Sequence, residues 1–251
     1  MSRKQLIAGN WKLQNSLEAS VALAKAVAAG SANAKADVVV APVFTAIASV
    51  AAALKGTHVG VSAQDVYWQE KGAFTGEVSA SLLKDAGATY GIVGHSERRQ
   101  FFAETDETVR KKTVALYANG ITPIVCVGES LEQREQGATV GVSVGQVAAA
   151  LAGLDQAKLA SLVIAYEPVW AIGTGKTATP ADAQSVHAAI RAYLTHAYGD
   201  ATAQKVRILY GGSMKADNAQ ELLGQPDIDG GLVGGASLVA EQFVAIIAAA
   251  R

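Results

Sequence analysis

The sequence predicts an α/β chain folded as a single (β/α)8 barrel of eight parallel strands over residues 1–251, and three observations carry that prediction. Short apolar runs recur along the chain, each followed by a helix-forming stretch. The runs lack the in/out alternation of a one-sided sheet, as expected for parallel strands covered on both faces. No Pro/Ser-rich linker interrupts the series, so no domain boundary is expected. Periodicity alone does not show closure, and a doubly wound open sheet is the alternative.

The runs predict strands near Leu6–Trp11, Val38–Ala41, Val59–Ala63, Tyr90–Val93, Thr122–Val127, Leu162–Tyr166, Val206–Tyr210 and Gly231–Val233. Between them, alanine-rich stretches such as 46–54 and 147–152 favour helix and allow close helix–sheet packing. Helix starts are visible at Ser16-Leu17-Glu18 and Thr105-Asp106-Glu107. Thr179-Pro180-Ala181-Asp182 combines an N-cap, a first-turn proline and an early acid. After it, Val186, Ile190, Tyr193 and Leu194 fall on one helical face. His58, His187 and His196 fall in loop or helical contexts that read as surface.

Half the residues are hydrophobic and 17% are charged, so the chain can bury a large core and is not of disordered composition. A net charge of −1 supplies no global field for nucleic acid or an anionic membrane, so any anion site must be local. The single cysteine, Cys126, excludes an intrachain disulfide and reads as a buried thiol within an apolar run. The N-terminus has basic residues without an apolar stretch behind them, and no uninterrupted run reaches membrane-spanning length. A cytoplasmic protein is expected.

The densest chemistry lies in Ala165-Tyr166-Glu167-Pro168-Val169-Trp170-Ala171-Ile172-Gly173-Thr174-Gly175-Lys176. Pro168 disfavours the α region for the residue before it, which puts Glu167 in extended backbone at a strand mouth. A carboxylate there, followed by a segment able to close over it, suits proton abstraction from a small molecule. In a barrel, functional residues gather at the carboxyl ends of different strands. Asn10 and Lys12 follow the first strand, His95 the fourth, Glu167 the sixth, and glycine clusters the seventh and eighth.

This dodecamer resembles the lid of the triosephosphate isomerase family. So do Gly9-Asn10-Trp11-Lys12, Val93-Gly94-His95-Ser96-Glu97-Arg98-Arg99, and Tyr210-Gly211-Gly212-Ser213 with Leu232-Val233-Gly234-Gly235-Ala236. The resemblance covers essentially the whole chain. It implies an isomerase acting on dihydroxyacetone phosphate and glyceraldehyde 3-phosphate through an enediol or enediolate, in glycolysis and gluconeogenesis, with no cofactor and no metal. Glu167 is then the base and His95 a neutral electrophile, the helix after it disfavouring the imidazolium. Lys12 and Asn10 face the anionic substrate, and Glu97 pairs with Lys12. Gly173, Ser213, Gly234 and Gly235 offer donors to phosphate, where glycine permits close backbone approach. Pro168-Val169-Trp170 and Lys176-Thr177-Ala178 read as the lid's two hinges. Excluding water raises the basicity of the carboxylate, and holding the phosphate in the enediolate plane suppresses its elimination.

Gln69-Glu70-Lys71-Gly72-Ala73-Phe74-Thr75-Gly76-Glu77 resembles the family's protruding third loop. A homodimer is therefore expected through Gly72–Glu77, with Phe74 exposed and Thr75 reaching toward Asn10 and Lys12 of a second copy. Asp65 and Gln14 stand where asparagine is frequent in the family, both toward the expected interface. Two other classes fit these residues less well. A Schiff-base aldolase does not account for Glu167 with His95, and a non-catalytic barrel would be expected to have lost Glu167, His95 or Lys12.

Overall fold

The computed structural model describes residues 3–171 and 178–251. Eight strands form a closed parallel barrel in chain order: β1 Leu6–Asn10, β2 Asp37–Ala41, β3 Val59–Ala63, β4 Tyr90–Val93, β5 Thr122–Val127, β6 Val163–Tyr166, β7 Arg207–Tyr210 and β8 Gly230–Val233. Closure is made where β1 pairs with both β2 and β8, Leu6 lying opposite Asp37 on one side and Gly230 on the other. The expected strands are all present, with ends shifted by one residue at most. Trp11 falls outside β1 because Lys12 adopts φ 52° and turns the chain, although Trp11 still donates to the Ala41 carbonyl at 3.1 Å.

The missing alternation has a direct structural cause. Leu6, Ala8, Val39, Ile124, Cys126 and Leu209 belong to the cluster inside the barrel. Their strand neighbours Ile7, Val38, Val40, Val125 and Ile208 belong to a second cluster between sheet and helices. Both faces of each strand are therefore apolar. The buried Cys126 thiol is pushed well above its ordinary pKa by burial, with the Glu167 carboxylate acting in the same direction.

The helical layer comprises α1 Leu17–Gly30, α2 Ile47–Ala53, α3 Ala80–Asp85, α4 Ser96–Phe101, α5 Asp106–Ala118, α6 Leu131–Glu135, α7 Thr139–Leu151, α8 Gln156–Leu159, α9 Pro180–Tyr198, α10 Asp200–Ala203, α11 Ala219–Leu223 and α12 Ala240–Ala248. The predicted starts hold. Ser16 caps α1, Thr105 forms a capping box with Thr108, and Thr179 does so with Asp182 ahead of Pro180. The hydrogen bond from the Thr179 hydroxyl holds the Asp182 carboxyl below its ordinary range.

One expectation is corrected. His187 is not at the surface: it is fully buried on α9, in the inward stripe with Val186 and Ile190. Its Nδ1 lies 2.7 Å from the Ala183 carbonyl one turn back, a local partner that makes burial tolerable. No helix among the described residues is long and apolar enough to cross a membrane.

Candidate active site

The carboxyl ends of the strands open into a cavity of about 430 Å³. Asn10, Lys12, His95, Glu167, Ser213 and Gly234 line it, as does Gly235, so residues from five strands converge there. Glu97 lies just outside, its carboxylate 2.6 Å from the Lys12 ammonium. Gly173 falls outside the described residues, as do Ile172 to Thr177, which include most of the lid tip and part of its second hinge.

Lys12 owes its position to an uncommon backbone conformation. At φ 52° it occupies the left-handed region that non-glycine residues seldom adopt. Surrounding bonds hold it there. Its N–H donates to Asn10 Oδ1 at 3.0 Å, and its carbonyl accepts from Gln64 Nε2 at 2.8 Å. The same Gln64 amide reaches the Ala41 carbonyl at the end of β2. A Cβ placed on Gly234 would stand 3.5 Å from Lys12 Cε, so the lysine stem runs alongside the glycine pair.

His95 is the N-cap of α4 and is almost buried. The Glu97 backbone N–H donates to its Nδ1 at 3.2 Å, which requires a lone pair on that nitrogen. Glu97 Oε2 is 3.6 Å from Nδ1, too far for a good hydrogen bond. With Nδ1 accepting, Nε2 is the nitrogen that the ring presents as a donor, 3.2 Å from Glu167 Oε1.

Glu167 is 2% exposed and docked against the start of α4. Its Oε2 accepts from the Ser96 N–H and its Oε1 from the Ser96 hydroxyl, both at 3.0 Å. Two glycines clear the space around it. A Cβ on Gly128 would sit 1.7 Å from the Glu167 carbonyl oxygen, and one on Gly211 would sit 2.8 Å from Glu167 Cγ. Ser96 and Gly211 stand in the motifs read from the sequence but were assigned no role there.

Glu129 was missed altogether. Fully buried after β5, it accepts from the Trp170 indole N–H at 2.9 Å and from the Tyr166 hydroxyl at 3.1 Å. Arg134 lies over the Trp170 ring, 4.3 Å from its centroid. The first lid hinge, a 3-10 turn at Val169–Ala171, is thus anchored to the barrel rim. Burial, reinforced by the Glu129 carboxylate, pushes the Tyr166 hydroxyl far above its ordinary pKa. The strand-end rule that picked out Glu167 applies equally to Glu129.

At the other end of the cavity, the Ser213 carbonyl accepts from Asn218 Nδ2 at 3.1 Å, which fixes the loop after β7. Gly234 opens a 3-10 turn at Gly235–Leu238, its carbonyl accepting from Ser237. A contiguous groove of about 930 Å³ shares Asn10, Lys12 and His95 with the cavity and adds Glu97, Leu13 and Phe102. Asp65 borders this groove but turns inward, 2.7 Å from Lys112 and 2.9 Å from Arg98. Burial raises its pKa despite the opposing pull of Lys112.

A family model described as triosephosphate isomerase matches residues 5–250. Proteins named triosephosphate isomerase are 55% identical in Moorella thermoacetica over 245 residues and 54% identical in Pelobacter propionicus over 248 residues, each match covering 98% of both chains. The protein of that name in Trichlorobacter lovleyi is 55% identical over 246 residues, again with 98% of both chains covered. Sequence, barrel and cavity agree, and the chain belongs to the triosephosphate isomerase family.

Proposed function

We infer that the chain interconverts dihydroxyacetone phosphate and D-glyceraldehyde 3-phosphate by proton transfer through an enediol or enediolate, as a cofactor-independent isomerase of glycolysis and gluconeogenesis. The observation that carries this reading is the meeting of an imidazole that presents Nε2, a buried carboxylate and a lysine ammonium at one cavity. Glu167 removes a proton from the carbon beside the carbonyl. The C–H electrons form the C=C bond, and the carbonyl electrons move to oxygen. His95 Nε2–H and the Lys12 ammonium receive that developing charge, with Asn10 beside them. Glu167 then returns its proton to the neighbouring carbon, while His95 Nε2 gives its hydrogen to the new alkoxide oxygen and takes the hydroxyl proton from the other, which becomes the new carbonyl. Glu97 sets the Lys12 ammonium through their ion pair and the His95 tautomer through its backbone N–H.

In the described conformation Glu167 is bound to Ser96, so the base must leave that serine to stand over the substrate carbons. Pro168 follows it directly, which ties this movement to the lid hinge. Ser213, Gly234, Gly235 and the lid's Gly173 serve the phosphate. Residues 1–251 act as one catalytic barrel domain, and the placement is cytoplasmic.

The working form is a homodimer. Leu13, Phe44, Phe101 and Phe102 are exposed around the larger groove, a patch that a monomer would seldom leave uncovered. Phe74, 41% exposed on the loop Gly72–Glu77, supplies an apolar plug of suitable chemistry. A monomer obtained by dilution that kept full activity would contradict dimer dependence.

The direct test supplies glyceraldehyde 3-phosphate to the parent and to Glu167→Ala and follows dihydroxyacetone phosphate. Turnover by the parent and its loss in the variant, with phosphate-ligand binding retained, is the expected result. An inactive, folded parent would refute the activity, and an active variant would refute the assigned base.

A further inference from the structure

The peptide groups leading into His95 are gripped from both sides by charged residues that the proton transfers do not use. Gly94 follows β4 with φ 74°, a conformation that glycine enters easily and leaves just as easily. Its own backbone therefore does little to fix the residue after it. Two side chains do so instead. The Gly94 N–H donates to Glu104 Oε1 at 3.0 Å, and the Gly94 carbonyl accepts from Arg99 Nε at 2.8 Å.

Each of these side chains is braced in turn. Arg99 is held by Asp106 Oδ1 at 2.6 Å and reaches the Cys126 carbonyl of β5 at 3.4 Å. Glu104, with a side chain 2% exposed, is matched by Arg98 Nε at 2.8 Å and Lys112 Nζ at 3.2 Å. Arg98 and Lys112 also share Asp65, so two acids balance two bases behind α4. There is no slack around the glycine: a Cβ there would meet the Cys126 carbonyl at 2.9 Å and Arg99 Nη2 at 3.2 Å.

We propose that Arg99 and Glu104 are positioning residues for the reaction, clamping the two peptide groups of Gly94 and thereby fixing the height and tilt of the His95 imidazole over the cavity. The proposal rests on the role given to His95 above. Both contacts are charge-assisted, and Glu104 is buried, the setting in which such bonds hold geometry best. They touch the backbone before the ring and leave its nitrogens alone, so the tautomer set by Glu97 is unaffected. They are also remote in the fold from Ser213 and Gly234, which follow β7 and β8. Loosening the clamp should therefore affect the chemical step and spare phosphate binding.

The test is Arg99→Lys in the full-length chain, with His95→Gln in parallel. Lysine keeps a positive charge for Asp106 but cannot hold Gly94, Asp106 and Cys126 together through one planar group. The expected kcat loss is roughly 10- to 100-fold, because displacement on the ångström scale carries that penalty. KM and inhibition by inorganic phosphate should stay within about threefold, as for an interaction made only in the transition state. Binding of 2-phosphoglycolate, whose planar carboxylate resembles the enediolate, should weaken by about tenfold or more. The His95 Nε2 resonance in 15N spectra, assigned by its disappearance in His95→Gln, should move.

Should Arg99→Lys fail to fold by circular dichroism, Asp106→Ala, at a side chain 41% exposed, frees Arg99 from its outer brace and is read the same way. A folded variant with kcat within about twofold of the parent and an unmoved resonance would overturn the clamp, even if His95→Gln lost activity. Parental kcat in His95→Gln would instead overturn the role of His95 itself, and with it the clamp.

Discussion

Mild acid should weaken this protein through one residue, His187. The ring is fully buried within α9. Its Nδ1, 2.7 Å from the Ala183 carbonyl, carries the hydrogen, and the rest of the ring is sealed from solvent. Tyr166 meets the ring edge-on at 5.6 Å and Tyr210 lies 6.4 Å away. Burial lowers the pKa of His187 from its ordinary 6.5; the Ala183 and Leu209 backbone groups, and after them Asp229, pull the other way, and Arg191 reinforces the fall.

The native state thus refuses a proton that the unfolded chain accepts near pH 6.5. The stability tied to the neutral ring is fully present above that pH and is lost as the pH falls below it. For one proton the limiting slope is about 1.4 kcal/mol per pH unit. Integrated from pH 7.5 to 5.5 against an unfolded value of 6.5, the loss is at most about 1.4 kcal/mol, reached when the folded ring stays neutral throughout. In a chain of this size that corresponds to a Tm lower by about 3–5 °C.

Scanning calorimetry of the parent and His187→Gln at the two pH values, at one scan rate, isolates this contribution. Glutamine does not titrate and retains a donor for the Ala183 carbonyl. Ordinary carboxylates titrate at lower pH, and the opposing effect of Asp65, whose raised pKa favours acid, is common to both proteins. The Tm difference between the two pH values should shrink in the variant, by at most about 3–5 °C. An equal difference in the two proteins would refute the reasoning.

Gly211→Ala puts a methyl 2.8 Å from Glu167 Cγ and 3.1 Å from the Tyr166 carbonyl, so the base must shift. A kcat loss of about tenfold or more, with KM little changed, is expected from steady-state kinetics. Lys215, exposed at the cavity wall, adds positive charge for a phosphate dianion in a chain of net charge −1. Lys215→Gln should lower kcat/KM a few-fold at low ionic strength, with kcat unchanged and the gap closing toward about 1 M salt. Deleting Ile172 to Gly175 should raise the ratio of phosphate released to substrate isomerised, measured by parallel phosphate and coupled assays; an unchanged ratio would count against the lid's protective role.

What was legible in the sequence is what local chemistry dictates. A parallel strand buried on both faces must be a short apolar run, so all eight could be located from composition. Pro168 and the strand before it placed Glu167 in extended backbone at a strand mouth, whereas His95 and Lys12 stood out among other strand-end residues only through the motifs that resemble the family's. The conformation of Glu167 was not legible. It depends on Ser96, 71 residues away in the chain, whose N–H and hydroxyl meet the carboxylate only once β4 and β6 have entered the same barrel.

His187 teaches a different lesson, because its burial was within reach. Ala183, Val186, His187, Ile190 and Leu194 recur at helical spacing and are all buried. The period places His187 on the inward face, whereas its residue type alone suggests the surface. A polar side chain can follow an apolar stripe inward when one bond to its own helix satisfies it, as the Ala183 carbonyl does here. Arg191, one position past Ile190, is also buried, satisfied by the Ala203 and Val206 carbonyls and by Asp229. Position on the helix determined burial for both residues, and their polar chemistry determined only which partners had to be there.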